Sequence, residues 1–86
     1  MNIENIKTFV RESITDVSGI SRFEDNENLL DPGVGIFPAD FLYIFDLIEK
    51  RFNIPFSNVL QFSTYEVMTV ENMAKEIEKM IPEAKL

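Results

Sequence analysis

Apolar residues recur at helical spacing in three stretches of the chain. In residues 3–17 the stripe is Ile3, Ile6, Val10, Ile14 and Val17. Spacings of three and four put these side chains on one face, so a first amphipathic helix is predicted. Asn2 is suited to cap its start, Glu4 suits the first turn, and Gly19 can take the left-handed conformation that ends a helix. A second helix is predicted over residues 38–52, where Phe41, Ile44, Phe45, Ile48 and Phe52 share a face. Proline is acceptable at its first position, because the missing N–H would have had no partner there. Asp40 near the start and Lys50 and Arg51 at the end complement the helix dipole. A last helix is predicted over residues 70–80, capped by Thr69, with Val70, Met73, Ala74, Ile77 and Met80 as its stripe and Pro82 just beyond.

Two connections remain. "SNVLQF", starting at Ser57, reads as a short helix of one or two turns. The connection over residues 18–37 is longer than the roughly 12–15 residues at which structureless loops become uncommon in compact domains. Ile20, Phe23, Leu29, Leu30, Val34, Ile36 and Phe37 are its expected anchors, so a loop pinned across the bundle is predicted. No strand alternation, internal repeat or low-complexity tract interrupts this reading. The expectation is an all-α bundle of four helices, three long and one short, with a long first loop.

Composition narrows the function. A chain of 86 residues with 45% hydrophobic content and eight Phe has room for one small core in one domain. It has no Cys and no His. A thiol nucleophile, a Ser-His-Asp triad and a Cys/His zinc site are therefore excluded. Gly33 and Gly35 begin like a dinucleotide-binding loop, but Pro38 replaces the third glycine and no strand precedes it. Glu24, Asn26 and Asn28 echo a calcium loop, yet Leu29 stands where that loop needs glycine. Glu71 with Lys75 and Glu76 with Lys79 have the spacing of helix-surface pairs. No catalytic constellation emerges, and the chain is not expected to be an enzyme.

Fifteen acidic residues against eight basic give a net charge of −7. Nucleic acid is a poor partner for that surface, whereas a basic patch on another protein suits it. The start, "MNIENIKTFVRES", has the character of neither a signal nor a transit peptide, and no apolar run reaches membrane-spanning length. A cytoplasmic protein with no membrane partner is the expectation.

Three segments add a family resemblance. "NLLDPGVG", "FPADFLYIFDLIEKRFNIPF" and "FSTYEVMTVENMAKEI" resemble, in order, three patterns of acyl and peptidyl carrier proteins. These are the Leu-x-x-Leu-Gly before the attachment site, the Asp-Ser-Leu-Asp-Phe-Leu opening of the second helix, and the Thr-Val pair opening the last. The similarity runs over residues 3–81. It implies a carrier-like four-helix fold. It also implies 4′-phosphopantetheine on the serine of Asp-Ser-Leu, but those three positions hold Phe37, Pro38 and Ala39. Pro38 has no nucleophile, and residues 36–42 contain no Ser, Thr or Cys.

Other departures follow the same direction. Asp40 and Glu49 match acids that the family displays to partner enzymes, while Tyr43 and Lys50 fall where acids are common. Phe41 stands where a small residue usually borders the acyl cavity. The implied protein is a carrier relative without a prosthetic group that serves as a docking or scaffold module for a biosynthetic or peptide-modifying enzyme. Phe37, Asp40, Tyr43 and Glu49 are its candidate partner-binding residues. A carrier modified at another residue and an unrelated helical regulator remain the alternatives.

Overall fold

The computed structural model describes residues 2–55 and 68–81. Three helices occupy them: α1 (Ile3–Ser18), α2 (Asp40–Phe52) and α3 (Val70–Met80). Among the described residues there is no strand. The short helix expected at Ser57 lies outside the described residues.

α1 begins as its sequence predicts. The Asn2 side-chain oxygen accepts from the amides of Glu4 and Asn5 at 2.7 and 3.3 Å, satisfying donors that a helix start leaves unpaired. At the other end Gly19 adopts φ 78°, and its N–H donates to the Thr15 carbonyl at 2.8 Å. Ile6, Val10 and Ile14 are fully buried, with Ile3 and Val17 packed at the margins. α1 packs against both α2 and α3 and is the element they share. Each fully buried aliphatic side chain contributes about 1.5–3 kcal/mol relative to exposure, so this stripe is a major source of stability.

α2 starts two residues later than its sequence suggests. The amides of Asp40, Phe41 and Leu42 donate to the carbonyls of Phe37, Pro38 and Ala39, each three residues back. Pro38 therefore opens a tight 3₁₀-type turn that feeds the α-helix. Ala39 sits at the cap without a side-chain hydrogen bond, and Asn53 closes the far end at φ 57°. Phe41, Ile44, Phe45 and Ile48 are buried, with the Phe41 and Phe45 rings 6.0 Å apart. Phe52 lies at the core's edge, edge-to-face with Phe9 at 5.5 Å, and the Arg51 guanidinium covers both rings.

α3 is capped by Thr69, whose hydroxyl accepts from Asn72 N–H at 3.0 Å. Val70, Met73, Ala74 and Ile77 are buried and complete one core with residues of α1, α2 and the loop.

The long loop is fastened at particular points. Phe23, Leu29 and Val34 are buried, and Ile20 and Ile36 pack against the core. Leu29 N–H donates to the Met68 carbonyl at 2.7 Å, and Glu71 N–H at the start of α3 donates to the Asp25 carbonyl at 2.9 Å. From α1, Arg11 pairs with Asp25 at 2.9 Å, donates to the Phe23 carbonyl, and stacks 4.5 Å above the Phe23 ring. Two expected anchors do not anchor. Leu30 is 41% exposed and Phe37 is 74% exposed. Leu29 takes the buried position, and the Asn28 side chain holds the next amide, that of Leu30, in a turn that carries Leu30 outward. Phe37 sits in the turn before α2, off the buried face.

The contrast between adjacent leucines is testable. Leu29→Ala should cost about 2–5 kcal/mol, as core truncations do. Leu30→Ala should stay within about 0.5 kcal/mol, as surface changes do. Urea denaturation of the two variants checks the difference, and equal losses would contradict the assigned anchoring.

Candidate functional site

The core claims one side of α2, and apolar residues nonetheless continue round the other. Residues 41–45 read Phe-Leu-Tyr-Ile-Phe without interruption. Phe41, Ile44 and Phe45 are buried, whereas Leu42 and Tyr43 are 72% and 66% exposed, and Leu47 is 37% exposed. With Phe37 in the preceding turn, four large apolar side chains stand at the surface along one helix. Single exposed apolar residues need no explanation, but several along one element mark an interaction surface.

The candidate residues divide between two flanks of that surface. Asp40 is the first residue of α2 and half-buried. Tyr43 follows it by three residues and Leu47 follows Tyr43 by four, so these three lie along one line. Glu49 is nine residues from Asp40, two and a half turns on, and faces the opposite flank together with Leu42. The four candidates therefore do not form one cluster. Asp40 and Tyr43 belong to the leading half of α2 with Phe37 in the turn before it, and Glu49 to a separate side. Asp46 and Lys50 pair across one turn at 2.9 Å with both side chains exposed. Leu42 and Leu47 escape a reading based on the core stripe alone. The uninterrupted apolar run is the signal for Leu42, since a helix covered on one side carries polar residues on the other, and the three–four spacing from Asp40 through Tyr43 is the signal for Leu47.

The turn before α2 offers nothing to carry. Pro38 is exposed, its ring has no hydroxyl, and its carbonyl is engaged by the Phe41 amide at 3.2 Å. The neighbouring side chains are those of Phe37 and Ala39. These residues do not fit covalent attachment of a phosphopantetheine arm.

A concavity lies elsewhere, away from α2. Arg11, Glu24, Asp25, Asn26 and Glu71 line an open polar depression of about 440 Å³. Two of its charged groups are engaged elsewhere: Arg11 pairs with Asp25 of the loop, and Glu71 pairs with Lys75 one turn along α3 at 3.5 Å. Among the described residues no group of three or more acidic, His or Cys side chains is placed to hold a metal ion. The loop's Glu27 and Asp31 side chains accept from the amides of Glu24 and Gly33 instead. No helix among the described residues is long and apolar enough to cross a membrane. Comparison with protein-family models, with curated proteins and with solved structures finds no match.

The chemistry of the turn yields a direct expectation. Incubation with coenzyme A and a broad-specificity phosphopantetheinyl transferase should leave the intact mass unchanged. A gain of one pantetheine arm by mass spectrometry would show an attachment residue elsewhere in the chain.

Proposed function

We propose that this chain is a non-enzymatic docking module with a carrier-like four-helix architecture, without a prosthetic group, that binds a protein partner through the outer side of α2 and the turn before it. The observation that carries this reading is the exposure of Phe37, Leu42 and Tyr43 on an element whose other side is fully engaged by the core. Several large apolar side chains exposed along one helix mark a surface that another molecule covers. Aromatic residues of this kind are the usual anchors of protein interfaces.

The partner's chemistry follows from charge. The chain carries −7 overall, and Asp40 and Glu49 flank the apolar residues. An apolar patch with basic residues at its rim complements that arrangement. The carrier resemblance supports the same face, because carriers present the start of their second helix to enzymes. It also supplies the working context: a biosynthetic or peptide-modifying enzyme that uses the module as a scaffold.

Affinity capture with the wild-type chain and with Leu42→Ala, followed by binding kinetics on the protein retained only by wild type, tests this reading. Leu42→Ala and Tyr43→Ala should each raise the dissociation rate by tenfold or more, as truncated anchors do. Asp40→Lys should slow association and weaken its dependence on salt. Glu12→Lys, on an exposed position of α1, should change neither rate by more than about twofold. Loss of binding in Glu12→Lys with normal binding in the α2 variants would move the docking face elsewhere.

A further inference from the structure

Along α2 the residues Asp40, Tyr43, Leu47 and Lys50 follow one another at spacings of three, four and three. That is the spacing of a coiled-coil seam, and it keeps the four on one line of the helix surface. The seam lies outside the core: Tyr43 is 66% exposed, Leu47 37%, and the Lys50 side chain 75%. Its order is acid, apolar, apolar, base. Such an order is complementary to itself when reversed.

We propose that a second copy of this chain closes the outer side of α2, with the two α2 helices antiparallel about a two-fold axis near residue 45. That one axis satisfies both kinds of contact. It places Asp40 of each copy opposite Lys50 of the other, and Tyr43 of each opposite Leu47 of the other. A two-fold contact uses the same patch on both copies, as the commonest soluble dimers do. Lys50 is free to exchange partners, because its bond to Asp46 joins two exposed side chains, and such pairs contribute little. Arg51 does not compete, since its guanidinium lies over Phe9 and Phe52.

The dimer is weak and reversible. The seam from Asp40 to Lys50 spans ten residues, about 15 Å of helix. A contact of that length falls below the roughly 1,200 Å² at which stable interfaces begin. Each copy also carries −7, which opposes approach at long range. Self-association rests on the reading of this face as a docking surface and competes with docking for Tyr43 and Leu47, so a tighter partner that needs them displaces one copy. The two contacts differ in their response to salt. Docking to a basic partner weakens as salt rises. Self-association strengthens from about 10 mM to about 150 mM salt, where the screening length falls from about 30 Å to about 8 Å.

Sedimentation equilibrium of the purified chain from about 10 μM to about 1 mM tests the proposal, because weak contacts dissociate in that range. The expected result is a monomer–dimer equilibrium that shifts toward dimer between the two salt concentrations. Lys50→Glu should weaken it at least tenfold, as should Asp40→Lys. The double variant Asp40→Lys/Lys50→Glu should recover dimerisation, because the reversed charges still meet in an antiparallel pair. Thermal melts of each variant verify that it is folded. A chain that stays monomeric at about 1 mM would overturn the proposal. So would a folded double variant that fails to recover, or self-association unaffected by Tyr43→Ala and Leu47→Ala together. The docking reading is tested separately by Leu42, whose side chain lies off the seam.

Discussion

The stripe Ile6–Val10–Ile14 on α1 is the constraint on which the rest depends. These side chains are withdrawn from solvent entirely, and α1 is the helix against which both α2 and α3 pack. A domain of this size has about 5–15 kcal/mol of net stability to distribute. Three fully buried aliphatic residues, at about 1.5–3 kcal/mol each, are comparable with that total. Both ends of α1 are closed accordingly, by the Asn2 side chain and by Gly19 in the left-handed region. Without α1 in place, the buried faces of α2 and α3 would have no common surface to cover.

The long loop solves a related problem with fewer residues. Over residues 19–39 the chain has no helix of its own, so its backbone groups need partners elsewhere. Two backbone hydrogen bonds reach the start of α3, and Arg11 reaches from α1 to Phe23 and Asp25. The segment around Phe23 to Leu29 thereby ties α1 to α3. The following segment, held by Val34 and Ile36, delivers Pro38 and Phe37 to the head of α2. The position of the candidate docking residues is in this sense set by a clamp at the other end of the loop.

Much of this was legible in the residues themselves. Helical spacing located α1 and α3 closely, because both carry a side-chain cap that sequence announces: Asn2 before one, Thr69 before the other. α2 has no such cap, and it begins two residues beyond the start that its pattern predicts. Proline permits a helix start, but it does not decide whether the first amides reach back three residues or four. Leu30 and Phe37 depart from the expected anchoring for a related reason. A loop has no period, so composition marks Leu29 and Leu30 alike, and only the local turn decides which is buried. In the candidate site, exposure of Tyr43 could be anticipated from its place relative to the core stripe. The separation of Glu49 from Asp40 was contained in their spacing of nine. Leu42 and Leu47 belong to neither the core stripe nor the set of acidic and aromatic candidates, so a search for those two patterns passes over them.

The account of α2 as a helix with two working sides makes one claim above the others: the outer apolar residues contribute to binding and not to folding. The most direct measurement is the stability of the double variant Leu42→Gln/Tyr43→Gln, since glutamine preserves helix propensity while removing apolar surface. The account predicts a loss below about 1 kcal/mol, a shift of no more than about 4–8 °C in Tm. A loss of about 3 kcal/mol or more would place these side chains in the folding core and contradict the account.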